Sequence, residues 1–542
     1  MYVVGFGWLI HPQGVSKSSL LNNRGKVSTS CDMVSEMKYK NPVVPGCYPD
    51  PSICRAGDDF FLVNSSFEFF PGVPVSHSRD LVHWKTVGHC ISRNSQLKLA
   101  VGRQNNSGIY APSIRYHDGI FYMITTNVSE RGEDKGNFYV WTEDPFGEWS
   151  DPIFLNTPGI DPSLFFDEDG KSYYIGTCPE GIYIDEINLQ EGKIVGPHIT
   201  IWKGTGGSYP EGPHLYKKDG WYYLLISEGG TERCHMLTMA RCRTIDGFYE
   251  SCPYNPVMTN RSFLLPIQSV GHADLVQDQH GNWWAVCLGT RTFSYPPKHN
   301  LGRETMLVPV DWSGEWPIFG NNGKVEEEVE VSCLPSENVS VKETNMSFED
   351  CFNGEQLDLS WNFIYNPNSE QWKLGKEGLE LYGNKKSLAD ADVIAWIGRR
   401  QQHHESTTRV ELRFPCVQEG EEAGLTIFMN NRHHYEAALS QKDGRRKLIF
   451  RRQIGSLQKI EKEIDYDNDT VVLELKSNLD YYTFNYQMSE HDKVRELGRG
   501  EVSYLTTEVG GSFTGNYIGL YSVGNGEKCI TPAIFRNYHY FT

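Results

Sequence analysis

Nowhere in the 542 residues do eighteen apolar residues run consecutively, so no transmembrane helix is expected. There is no Cys-x-x-Cys pair either. The thirteen cysteines are odd in number, and those in presumed strands (Cys54, Cys178, Cys287) lack paired spacing. Zinc is therefore not expected, and buried reduced thiols are the natural reading. Positive charge is in short supply: 51 Lys and Arg face 69 Asp and Glu, a net charge of −18. That balance argues against nucleic acid or an anionic membrane surface as partner. The apolar start, Met1 to Ile10, has no basic region before it and no small-residue cleavage site after it. It is not read as a signal peptide, and a cytoplasmic location is expected.

The chain does contain one short phrase written five times. It runs Tyr48-Pro49-Asp50-Pro51-Ser52-Ile53, Tyr110-Ala111-Pro112-Ser113-Ile114, Ile160-Asp161-Pro162-Ser163-Leu164, Pro210-Glu211-Gly212-Pro213-His214-Leu215 and Gly271-His272-Ala273-Asp274-Leu275. After each copy comes an acidic or glycine turn and a strand dense in aromatics, such as Lys217-Lys218-Asp219-Gly220 and then Trp221-Tyr222-Tyr223-Leu224. An apolar strand, an Asp-Gly-type turn and a second strand make a β-hairpin. Five copies about fifty to sixty residues apart give a repeat architecture. The spacing suits a four-stranded sheet, and radial repetition limits exposed edges. Residues 41–325 are accordingly predicted to form a five-bladed β-propeller.

In such a ring, equivalent positions face one axis. The expected occupants are Asp50, Ala111, Asp161, Glu211 and Ala273: three carboxylates and two small residues. Three converging acids repel one another, which raises at least one pKa. A single Asp-Pro would be read as a turn former. Three acids at the same place in a five-fold repeat point instead to proton-transfer chemistry.

On either side of the propeller the pattern changes. Residues 1–40 read as an N-terminal extension with little order, of which 1–36 should contribute nothing to activity. The Glu/Val/Ser stretch 326–344, with Glu326-Glu327-Glu328, reads as a linker. Residues 345–542 hold alternating strands such as Thr408–Phe414 and Val471–Leu475, which predict a β-sandwich. The expected fold is all-β: a five-bladed propeller followed by a β-sandwich.

The phrases resemble those of glycoside hydrolase family 43, the β-xylosidases and α-L-arabinofuranosidases. The likeness rests on Tyr-Pro-Asp-Pro-Ser at 48–52, Asn-Ser-Ser-Phe-Glu-Phe-Phe-Pro-Gly at 64–72 and Gly-Ile-Asp-Pro-Ser-Leu at 159–164. It continues through Glu-Gly-Pro-His-Leu-Tyr at 211–216, Gly-His-Ala-Asp at 271–274 and Leu-Gly-Arg-Glu-Thr at 301–305. The sandwich resembles the family's C-terminal domain, including Gly511-Ser512-Phe513-Thr514-Gly515, which implies a concanavalin-like sandwich that closes the active-site pocket. The resemblance implies that Asp50 is the general base, Glu211 the general acid, and Asp161 the group that holds Glu211 and keeps its pKa high. It implies inversion at the anomeric carbon, which needs room for a water between base and sugar. Arg303 resembles the family arginine that bonds a sugar hydroxyl, against a surface salt bridge. Phe67 and Phe69 would form an apolar wall for a pyranose face, or pack the core. Tyr110 stands where the family often has Trp. Phe513 would reach over the pocket and make it blind.

His272 is expected on the axis beneath the pocket, as a core histidine or as a group that tunes the acids or binds water or a calcium ion. No cofactor is required and no metal ligand is named. The activity implied is exo-action on β-1,4-xylo-oligosaccharides, releasing xylose from the non-reducing end. A dedicated α-L-arabinofuranosidase and a non-catalytic sugar-binding protein are the alternatives. The partner expected is an oligosaccharide substrate, xylo-oligomeric or arabinose-substituted, with room for a homo-oligomer.

Overall fold

The computed structural model describes residues 37–102, 106–129, 134–336, 347–489 and 491–542. The expectations for residues 1–36 lie outside the described residues. Five antiparallel sheets follow in chain order, each opened by one of the repeated phrases. Their inner strands are Ser52–Ala56, Ser113–His117, Ile160–Phe166, Glu211–Lys218 and Ile267–Gln277. Each inner strand packs against the next, and the fifth returns to the first, so the sheets close a ring. The turns that follow have the expected chemistry. Asp118-Gly119 and Asp219-Gly220 each close a two-residue hairpin loop with both residues at positive φ, the backbone twist that matches right-handed strands.

Strand pairing fixes which positions are equivalent. Ser52, Ser113, Ser163, His214 and Asp274 share one rung, paired with Val63, Ile124, Ile175, Leu225 and Val286. A bulge precedes that rung in the third, fourth and fifth sheets. Two residues before it stand Asp50, Ala111, Asp161, Gly212 and His272. The sequence alignment of the phrases is corrected here: Ala273 is not the axial residue of the fifth sheet, and Glu211 sits one residue before the position that Asp50 and Asp161 occupy. The rung itself is a polar pin. Asp274, fully buried, accepts hydrogen bonds from Ser52 Oγ (2.6 Å), Arg115 Nη1 (2.7 Å) and Tyr216 OH (2.7 Å), tying the first, second, fourth and fifth sheets together. These partners, Arg115 above all, outweigh the cost of burial and hold its carboxyl far below the usual range.

Residues 37–40 are not loose extension, nor is 326–344 merely a linker. Met37–Lys40 pairs antiparallel with Glu328–Val331, outside the five sheets, with Tyr39 and Val329 buried. This clasp joins the two ends of the propeller segment. Beyond it, an eight-stranded and a six-stranded sheet enclose a core that includes Leu425, Tyr435, Leu473, Phe484 and Phe535. A two-stranded pair, Phe69–Phe70 with Phe363–Ile364, runs between propeller and sandwich. Among the described residues no helix is long and apolar enough to cross a membrane.

Candidate active site

Asp50 and Asp161 each precede a serine of the axial rung by two residues, and both have left-handed backbone, φ 52° and 54°. Burial would raise the Asp50 carboxyl, but Arg303, His272 and Ser65 outweigh it and hold it below the ordinary value. Arg303 Nη1 donates to Oδ1 at 2.8 Å, and Ser65 Oγ to Oδ2 at 2.5 Å. Asp161 is pushed the other way. It is equally buried, and burial, then the charges of Glu211 and Asp50, raise it well above the usual range. The Gly212 backbone N–H donates to its Oδ2 at 3.2 Å. So two aspartates with matching backbone titrate in opposite directions, because the arginine sits on only one of them.

Glu211 reaches the same place from one residue earlier, using its extra methylene. Its side chain is the more open of the three, 21% exposed. The residue after it must be glycine for two reasons: φ is 58°, and a Cβ there would lie 2.9 Å from the His272 ring. His272 is thereby seated beneath the acids, with Nδ1 3.9 Å from Asp50 Oδ1. Burial pushes it below its ordinary value. Among the described residues no three His, Cys, Asp or Glu side chains converge as a metal-binding group.

Four of the residues expected to contact substrate gather above the acids. The rings of Phe67, Tyr110 and Phe513 lie 5.6–6.1 Å apart, and the Arg303 guanidinium rests over Phe67 and Phe513 at 5.6 and 5.5 Å. Phe513 comes from the sandwich. Asn106 holds its loop to the propeller, accepting from Phe513 N at 3.0 Å and donating to Gly511 O at 3.2 Å. Tyr110 OH in turn donates to Asn106 O at 2.6 Å. Arg303 Nη2 donates to the Phe513 carbonyl at 3.4 Å. Phe69 is not part of this wall. It is buried against the sandwich, stacked on Tyr517 at 4.0 Å and 15°. Phe67 has φ 50° and Phe69 N bonds back to Ser66 O, so the chain turns between them and the two rings part.

Sequence reasoning missed His235. It is fully shielded, and its Nε2 lies 3.4 Å from Glu211 Oε1. Its Nδ1 donates to the Ser269 carbonyl at 3.2 Å. Residue 271 has no side chain because a Cβ would meet the His235 ring at 2.4 Å. Thr231, 3.1 Å from Arg303 Nη1, was missed as well. Both lie outside the repeated phrases, and Gly271 beside an axial histidine was the only trace of them.

Comparison with known proteins agrees with this geometry. Residues 39–317 match the family model described as glycosyl hydrolases family 43, and residues 349–541 match that of the "Beta xylosidase C-terminal Concanavalin A-like domain". The chain is 38% identical to a non-reducing end α-L-arabinofuranosidase of Bacteroides ovatus, covering 93% of this chain and 94% of that one. It is 40% identical to a xylosidase/arabinosidase of Butyrivibrio fibrisolvens, over 93% and 98%. The crystal structure of a xylan β-1,4-xylosidase from Bacillus halodurans superposes with a TM-score of 0.86 at 33% identity, over 93% of this chain and all of the other (100%). Propeller, sandwich and acid trio together make this chain a glycoside hydrolase, a member of family 43.

Proposed function

We propose that the protein is an exo-acting, inverting β-xylosidase that removes xylose from the non-reducing end of β-1,4-xylo-oligosaccharides. The observation that carries the roles is the unequal setting of two aspartates around one glutamate: Arg303 bonds Asp50 at 2.8 Å, whereas Asp161 accepts from the Gly212 backbone N–H at 3.2 Å. Asp50, kept ionised by Arg303, is suited to accept a proton from water as it attacks. Glu211, the most open of the three, is the acid for the departing oxygen. Asp161, raised well above the usual range by burial and by the charges of Glu211 and Asp50, holds its proton more tightly than Asp50 and fixes the Gly212 backbone beside Glu211. No step requires a cofactor, since carboxyl groups carry every proton. Exo-action is supported by Phe513, which the sandwich brings beside Phe67, Tyr110 and Arg303.

Glu211→Gln should cripple xylobiose hydrolysis yet spare aryl xylosides whose leaving group needs little protonation, while Asp50→Asn should abolish both. A nitrophenyl glycoside panel, with the first-formed anomer followed by proton NMR, tests the whole reading. Initial α-xylose from a β-xyloside is expected, and initial β-xylose would overturn inversion. The Bacteroides ovatus relative, an α-L-arabinofuranosidase at 38% identity, favours a second reading with the same acids acting on arabinofuranosides. Higher turnover of the α-L-arabinofuranoside than of the xyloside would put it first.

A further inference from the structure

Just ahead of the strand that Glu211 opens stands an aromatic side chain that the fold leaves in water. Tyr209 is 72% exposed and has φ 53°, an uncommon backbone for a bulky residue. It is nevertheless held firmly. The carbonyls on either side of it are bonded, Ser208 O by Gly229 N–H at 2.7 Å and Pro210 O by Thr177 Oγ1 at 2.6 Å. The loop that delivers it is anchored on Glu228, a fully buried carboxylate. That group accepts from Thr205 N and Thr205 Oγ1 at 3.0 Å and from Gly207 N at 2.9 Å. Such fixing gives the exposed ring one set direction. A solvated turn residue has no need of that, whereas a ring pre-set to receive a ligand has.

The ring lies on the loop that reaches the acid site. A Cβ on Gly230 would stand 3.4 Å from Tyr209 Cδ2 and 2.9 Å from Glu232 Oε2, so ring and carboxylate flank one glycine. The next residue, Thr231, accepts from Arg303 Nη1 at 3.1 Å. Two residues of chain span at most about 7 Å, which keeps Tyr209 within a sugar's reach of Glu211. Glu232 is exposed as well. Among the described residues neither the Tyr209 hydroxyl nor the Glu232 carboxylate has a hydrogen-bond or ion-pair partner. Arg233, the cation beside them in sequence, is engaged by the Pro297 carbonyl at 2.6 Å.

We propose that Tyr209 and Glu232 form the seat of the leaving group, the sugar on the far side of the scissile bond, and so select it. The proposal rests on Glu211 as general acid, because that acid must stand at the departing oxygen and hence beside the leaving group. A pyranose placed there lays its C–H face on the Tyr209 ring and gives a hydroxyl proton to Glu232. With two carboxyls nearby and Arg233 already engaged, a neutral sugar is favoured over a uronic acid.

The test compares xylobiose with β-xylosyl fluoride, whose leaving group is too small to reach Tyr209. Tyr209→Asn removes the ring with a residue that tolerates left-handed backbone. It should raise KM for xylobiose on the order of tenfold and leave kcat/KM for the fluoride unchanged. Tyr209→Phe should keep the wild-type KM, and Glu232→Gln should raise it several-fold. A weakened acid would also separate these two substrates, so affinity is measured too. In the full chain carrying Asp50→Asn, Tyr209→Asn should weaken xylobiose about tenfold in isothermal titration and leave xylose unchanged. Equal losses on both substrates, no loss on either, or an unchanged xylobiose affinity would overturn the proposal. Failure of the xylosidase reading shows differently, as low turnover of both substrates by the unsubstituted chain. An arabinose-substituted xylo-oligosaccharide and α-L-arabinofuranosyl fluoride then take their places in the same comparison.

Discussion

His235 offers the sharpest test of how the acid is held. In its neutral form, with Nδ1–H given to Ser269, the ring presents its Nε2 lone pair to Glu211 Oε1 at 3.4 Å. A protonated Glu211 can donate to that lone pair, and such bonds tighten once substrate is bound. A hydrogen bond between two neutral groups contributes about 0.5–1.5 kcal/mol. At about 1.36 kcal/mol per decade, His235→Phe should lower kcat/KM for xylobiose by about 2- to 13-fold. The loss should all but vanish on an aryl xyloside with a good leaving group, because protonation is then not limiting. His235→Gln, which restores an acceptor oxygen, should recover part of the activity on xylobiose. Steady-state kinetics on the two substrates provide the assay. Equal losses on both, or no recovery with Gln, would refute the assignment and leave His235 as packing.

Three further outcomes are expected. The acidic limb of kcat/KM should fall below the ordinary aspartate value of 3.8, since Arg303, with His272 and Ser65, overcomes burial and depresses Asp50; a limb above about pH 5 would count against Asp50 as base. Asp161→Asn should lower activity yet raise thermal stability near neutral pH. Its folded pKa is raised, so the unfolded chain releases that proton first and stability drops as pH rises between the two values; the gain should vanish in acid, where both states are protonated. Phe69→Ala should cost about 3–5 kcal/mol in denaturant unfolding, as for other buried aromatics, with KM little changed in the folded fraction. A raised KM with full stability would return Phe69 to the sugar wall.

Much of this was legible because the ring repeats itself. Five phrases with a common turn grammar point to five sheets, and the acids stand out because a turn has no need of three of them. What sequence could not supply was register. The rung is set by cross-strand pairing, which the phrases do not encode, so Glu211 and Ala273 looked aligned with Asp50 when Gly212 and His272 are. Phe67 and Phe69 looked like partners because alternate residues of a strand share a face. The left-handed backbone at Phe67 breaks that rule, and only the neighbouring sandwich reveals where Phe69 goes. The clasp strand was legible in principle, since Glu328-Val329-Glu330-Val331 alternates as an edge strand should. Its acidic charge made it look like a tether.

Arg303 has one hand on Asp50 and the other on the main chain at Phe513. The cation that sets the base's proton affinity is therefore also the latch of the lid. Through that one side chain the sandwich touches the propeller's proton chemistry: a substitution that shifts the main chain at Phe513 is felt at the base without altering any acid.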